Sequence, residues 1–222
     1  MYRPCRVPGC PSPAASNFAI YCSPHRSNLR RHGAVDQKAI RKAHLWPYLK
    51  RVQKRISKNP ESVAWVTLDD RWRDLTDHAR GILAKFATGS AGSRWELLAA
   101  QEVVKLADDV PPRAVVEVTA AMVFMQEMEP GWFRSDKAFW LQLARRVRSL
   151  TDMNYGEGWD HTRQRVRRSY RELAPRASLL LGQWLAQTLG VAGQYMARAE
   201  RAERERHEGE RRALHDALSK LS

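Results

Sequence analysis

The stretch Ala114-Val-Val-Glu-Val-Thr-Ala-Ala-Met-Val-Phe-Met-Gln-Glu-Met128 decides the fold. Val115, Val116, Val118, Met122, Val123, Phe124 and Met125 leave almost no polar side at helical spacing. A helix without a polar face belongs at the centre of a packed body. A buried strand is the lesser alternative for Val115 to Val118. Pro111-Pro112 before the stretch suits a helix start, and Pro130-Gly131 breaks the chain after it.

Amphipathic patterns surround this centre. Upstream, Ser93-Arg94-Trp95-Glu96 is a capping box for a helix carrying Trp95, Leu98, Ala99, Val103 and Leu106. Earlier still, Thr67-Leu68-Asp69-Asp70 reads as a helix start for the stripe Trp72, Leu75, Ala79, Ile82, Leu83 and Phe86, ended by Gly89 and Gly92. Downstream, Phe139, Trp140, Leu143, Val147 and Leu150 form another stripe, with Arg145, Arg146 and Arg148 on its outer face. Thr151 to Trp159, with Asn154, Gly156 and Gly158, reads as a loop. Asp160 then caps a helix in which Arg163, Arg165, Arg167, Arg168 and Arg171 cluster with Tyr170.

The longest apolar run, Ala177 to Ala197, is interrupted by Gly182, Gln183, Gln187, Gly190, Gly193 and Gln194. It falls short of the 18 or so apolar residues of a membrane span. The tail alternates Arg and Glu, with Glu200/Arg204 and Glu208/Arg212 in the favourable i, i+4 order. Leu214, Leu218 and Leu221 continue an apolar stripe, so the tail reads as a solvated helix or a short coiled-coil arm offering a homodimer or partner contact.

Charge is unevenly placed. Of the net +14 over 222 residues, residues 1–58 supply +12, with thirteen Lys/Arg against Asp36 alone. Residues 59–133 are net −5, and residues 134–171 net +6. Two basic segments flanking an acidic one suit surfaces that track a polyanion. Past Val35 the chain is expected to turn helical, with Leu45, Leu49, Val52 and Ile56 on one face and Lys50, Arg51, Lys54, Arg55 and Lys58 on the other. Pro47 is expected to break that helix or start a second one. With one acid in 58 residues, these cations are expected to lack internal partners. Nucleic-acid contact is assigned to Arg26, Arg30, Arg31, Lys38, Arg41, Lys42, Lys50, Arg51, Lys54, Arg55 and Lys58, an acidic protein partner or plain solubility being the alternatives for the basic helix, with Arg163, Arg165, Arg167 and Arg168 as a second patch. In that patch the cations lie near Tyr155 and Trp159, a mixture that grips backbones and stacks on bases. The alternative packs those aromatics inside and pairs the arginines with acids of residues 59–133.

The three cysteines all lie within the first 22 residues, in the spacing Cys5-x4-Cys10-x11-Cys22-x2-His25. An odd count does not pair completely as disulfides. Short-spaced Cys and His pairs on turns suit tetrahedral zinc, and four protein ligands make a closed, structural site. The intervening Pro11, Pro13, Ala14, Ala15 and Ser16 have no core of their own, so one zinc ion is expected to supply the folding energy. His32 and His44 are alternatives to His25 with less suitable spacing.

Arg26-Ser27-Asn28-Leu29-Arg30-Arg31-His32-Gly33 follows directly. Cys5, Cys10, Cys22, His25, Arg30, Arg31, His32 and Gly33 together resemble a short zinc-binding segment of phage and mobile-element proteins, including those attached to HNH-type endonucleases. The resemblance covers about 30 of 222 residues. It implies a zinc-bound, DNA-contacting element of treble-clef style. No HNH catalytic core follows, so endonuclease activity is not implied.

Catalytic constellations are sparse. Asp69-Asp70 and Asp108-Asp109 are adjacent carboxylates, which point apart on a helix. No phosphate-binding glycine loop or His-Glu-x-x-His occurs. Arg163, His161 and Tyr170 lack the spacing of a recombinase site. The sequence thus reads as mainly α: a zinc-binding module (residues 1–34), a basic helical arm (35–58), an α-helical bundle (59–196) and a charged C-terminal helix (197–222). The function expected is that of a non-catalytic, zinc-containing, cytoplasmic protein binding double-stranded DNA, as a regulator or recombination accessory factor of a phage or mobile element. The alternatives are an interaction subunit of a larger protein or ribonucleoprotein assembly and, more weakly, a nuclease.

Overall fold

The computed structural model describes residues 3–162 and 164–219, with backbone alone at 167–169. The described chain is mainly α. It runs α1 (Ser23–His32), α2 (Lys42–Lys58), α3 (Val63–Ala87), α4 (Arg94–Asp109), α5 (Pro112–Met128), α6 (Asp136–Arg148), β1 (Tyr155–Asp160), β2 (Arg165–Tyr170), α7 (Pro175–Leu189) and α8 (Val191–Ser219).

α5 is the centre that its sequence demands. It is buried from Val118 through Met125 and packs against α2, α3, α6, α7 and α8. Around it, α3 and α4 form an antiparallel pair, and α6 lies along α7. Ser93 caps α4, its hydroxyl accepting from the Trp95 N–H at 3.3 Å. Among the described residues, no helix is long and apolar enough to cross a membrane.

The closest backbone approach in the body is at Gly182, in the middle of α7. A Cβ there would sit 2.6 Å from the carbonyl carbon of Trp140 in α6, and closer still to its oxygen. Both atoms are backbone, so neither yields by a rotamer change. Gly182→Ala is therefore expected to cost ~1–3 kcal/mol by forcing α6 and α7 apart. A urea melt with an unshifted midpoint would show that the helices separate freely.

Several local expectations are corrected. The segment after Val35 stays non-helical until Lys42 because its polar groups are used elsewhere. The Gln37 side chain donates to the Trp132 carbonyl at 3.0 Å and accepts from the Arg134 N–H at 3.0 Å. Pro47 does not interrupt α2. Ala43 and Pro47 both lie at the exposed surface, where water satisfies the carbonyl that proline leaves without a donor. α3 begins at Val63, four residues before Thr67, whose hydroxyl donates back to the Val63 carbonyl at 2.8 Å.

The largest correction concerns residues 151–171. The expected loop and helix form an antiparallel hairpin, pairing Tyr155 with Tyr170, Gly158 with Arg167 and Trp159 with Val166. The arginine face of α6 is also not an outer face. Arg148 is buried, and Arg145 and Arg146 are half-buried, because α4, the hairpin and Glu172 close over them.

Candidate metal centre and basic cleft

The first ligand pair sits on a tight knuckle. The Cys10 N–H donates to the Val7 carbonyl and the Cys5 N–H to that of Ser12, each at 3.1 Å. Gly9 provides the left-handed turn between the two cysteines, at φ 73°. The second pair exploits helix geometry. Cys22 is the N-cap of α1 and His25 lies three residues on, so both side chains meet on the first turn.

The result is a compact donor set. Cys22 Sγ lies 3.2 Å from His25 Nδ1, Cys5 Sγ lies 3.4 Å from the same nitrogen, and Cys10 Sγ is 3.9 Å from Cys22 Sγ. All four donor atoms lie within 4.8 Å of one another, close enough to bind one metal ion. Cys5 and Cys22 are buried, Cys10 and His25 half-buried. Burial pushes the Cys5 thiol up, but N–H donors from Cys22 and Val7 and the contact with His25 outweigh it, bringing it down to about 6. The His25 N–H favours the Cys22 thiolate, yet burial and the adjacent sulfurs of Cys5 and Cys10 prevail and raise that thiol. Three sulfurs this close repel as anions, and a bound cation removes the repulsion.

The alternative histidines are committed elsewhere. Buried His32 meets the Gln142 side chain through Nδ1 at 2.8 Å. His44 accepts from the Arg41 N–H at 3.3 Å and stacks near Trp132.

Arg31-His32-Gly33 faces the helical body. Gly33 ends α1 at φ 88°, its N–H bonded to the Leu29 carbonyl. A Cβ on Gly33 would lie 2.9 Å from the Cα of Ala138, so glycine also allows the module to seat on α6. Arg31 pairs with Glu172 at 3.4 Å, and Glu172 also takes Arg145 at 2.9 Å. Arg30, Arg31, Arg145, Arg148, Tyr170 and Glu172 line one cleft between the module, α6 and the hairpin root. Among the described residues, a single carboxylate there faces three arginines with no other acidic partner, since Arg148 is bonded to Glu102. The two basic segments, separated in sequence by an acidic one, meet at this cleft.

The remaining assigned cations divide. Arg26, Lys38, Arg41 and Lys42 are exposed, as is Arg165 on β2. Arg163 and the side chains of Arg167 and Arg168 lie outside the described residues. Three of the α2 cations have partners within the chain, contrary to expectation. Arg51 pairs with Glu200 at 3.1 Å, and Arg55 lies over the Tyr195 ring at 5.6 Å. Lys50 lies over Trp46 at 5.0 Å. Lys54 and Lys58 share a groove with Glu200, Glu203 and His207 of α8. The neutralising acids lie almost 150 residues downstream, beyond any local charge count.

The adjacent acids also take separate partners. Asp69 binds Arg113 and Asp70 binds Arg73. Asp108 pairs with Arg80 at 3.6 Å, and Asp109 accepts from Thr151.

What sequence reading missed is the buried network under the hairpin. Arg148 donates from Nε to Glu102 at 2.7 Å, and from its terminal nitrogens to Asn154 at 3.0 Å, Tyr170 at 3.0 Å and the Arg171 carbonyl at 3.1 Å. Lys105 adds bonds to Glu102 at 2.6 Å and to Asn154 at 3.1 Å. Only Glu102, placed by helical spacing on the apolar side of α4, hinted at it. Comparison with protein-family models, curated proteins and solved structures returned no match.

Proposed function

We propose that the chain is a zinc-containing DNA-binding protein that acts by binding rather than catalysis, as a regulator or recombination accessory factor of a phage or mobile element. The metal part rests on chemistry. Tetrahedral zinc, with bonds of ~2.3 Å to sulfur and ~2.0–2.1 Å to nitrogen, needs ligand edges of about 3.6–3.8 Å. Separations of 3.2, 3.4 and 3.9 Å within the Cys3His set lie around these edges, and all of its donor atoms are within 4.8 Å of one another. Zinc there is structural, holding the arginines of α1 against α6. The mobile-element part rests on the resemblance of the first 30 or so residues.

The observation that carries the DNA reading is the shared cleft, where Arg30 and Arg31 of the metal module meet Arg145 of α6. Guanidinium forks in such a cleft suit backbone phosphates. Phosphate contacts of this kind give affinity without sequence preference. The double substitution Arg30→Gln/Arg145→Gln is therefore expected to weaken duplex binding equally on unrelated sequences. Every phosphate no longer neutralised by the protein lowers the slope of log K against log salt by about 0.9. Replacing Lys50, Arg51, Lys54 and Arg55 with Gln has a smaller effect, because Glu200 and Tyr195 already engage two of them. Fluorescence anisotropy across a salt series measures both. An unchanged slope in the cleft variant would remove the cleft from the interface.

A further inference from the structure

We infer that the β1–β2 hairpin is the sequence-reading element, entering a groove of duplex DNA with Trp159 and Val166 as its contact ridge. This rests on the DNA-binding reading of the basic cleft. Trp159 and Val166 are cross-strand partners beside the hairpin turn. They are 56% and 60% exposed, in a protein that buries its other strand-borne aromatics at least partly. Leaving a large apolar pair in water costs free energy unless a partner covers it.

The sequence charge of the hairpin favours a polyanionic partner. Residues 155–171 carry five arginines against Glu157 and Asp160, and Arg165 stands exposed next to Val166. The hairpin is also continuous with the cleft, since Tyr170 of β2 lines it beside Arg30 and Arg145. A polyanion lying across the arginines at the cleft rim is thus led toward the ridge. A two-stranded ribbon, with strands about 4.8 Å apart, fits a major groove about 12 Å wide. There an apolar ridge meets thymine methyl groups and base edges, which phosphate-binding arginines do not distinguish.

The root of the hairpin is held as a reading element requires. Tyr155 and Tyr170 pack edge to face at 5.4 Å, and Arg145 and Arg148 each lie 5.1 Å from the Tyr170 ring. The Arg171 N–H closes the ladder onto the Asn154 carbonyl at 2.7 Å. These tyrosines are spent on anchoring. One exposed indole beside a valine is not the row of aromatics on which single strands stack.

The test begins with selection of preferred duplexes from a randomised pool by the wild-type protein. Affinity is then measured for a selected and an unrelated duplex at fixed salt. Trp159→Ala should reduce the preference for the selected duplex by about tenfold, the order of one base-pair contact. Its affinity for the unrelated duplex should stay within about twofold, because the cleft is untouched. DNA should also protect the wild-type chain from trypsin at Arg165. If wild type prefers its selected duplex and Trp159→Ala prefers it equally, the hairpin assignment fails and the DNA reading survives. Tighter binding of single strands that disappears with Trp159→Ala would overturn groove entry. Wild type that binds no duplex would overturn both readings together.

Discussion

Cys22→Ser is expected to reduce bound metal from about one ion per chain to none and to unfold the segment from Arg3 to His25, while α5 keeps its protection. The expectation follows from how little else holds this segment. Its buried apolar residues are Cys5, Ala14 and Cys22, which cannot offset the chain entropy of ordering it. A structural metal supplies an apparent ~10–16 kcal/mol in small zinc-finger modules, so loss of a bound ion decides whether the segment is folded. The far end of α1 is seated independently through His32 and Gly33 on α6, so unfolding should fade along α1 and stop short of the body. Hydrogen exchange with and without a chelator maps that boundary, and metal analysis of the purified protein gives the stoichiometry. A metal-free wild-type chain with residues 3–25 still protected would contradict the metal assignment.

Arg148→Met is expected to destabilise the body by about 3–5 kcal/mol, the usual cost of stranding one member of a buried ion pair. In a chain of this size that lowers the melting temperature by roughly 10 °C. Arg148 and Glu102 are both buried, and the variant leaves Glu102 with Lys105 alone. Apolar residues at both positions should recover much of the loss, since a buried pair often contributes little net stability over a packed apolar one.

The same pair fixes the sign of a pH effect. Burial pushes the Glu102 carboxyl up, but Arg148 and Lys105 outweigh it and hold it below the ordinary carboxylate range. A carboxyl depressed in the folded state stabilises above its unfolded pKa and loses that contribution as pH falls through the carboxylate range. Without Arg148 burial dominates and the contribution shrinks or reverses. The difference in melting temperature between wild type and Arg148→Met should therefore narrow from pH 7 toward pH 4. A constant difference would mean that Glu102 does not titrate with folding.

The metal quartet was legible because its chemistry is local: one pair lies on a knuckle and the other within one helical turn. The central place of α5 was legible because burial on every side leaves a sequence with no polar face. The hairpin was hidden because β1 contains Gly156 and Gly158, which read as loop, and β2 contains three arginines and one β-branched residue, Val166. Its stability comes from the anchored ends, Asn154 with Arg171 and Tyr170 with Arg148, which are tertiary contacts. The partners of Arg51 and Arg55 are hidden in the sequence for a similar reason. Counting charges over 58 residues does not reveal that α8 brings Glu200 back to Arg51.

The position of α8 also governs the order in which the protein can be made. Its first turns, with Ala192, Met196 and Ala197 buried, cover α5, while Glu200 and Tyr195 reach α2. During synthesis at ~5–20 residues per second, the most apolar helix emerges several seconds before the segment that shields it. For that interval the nascent chain exposes the side of α5 meant for α8. Chaperone dependence should thus peak while residues 130–200 are being added and end once the beginning of α8 clears the ribosome.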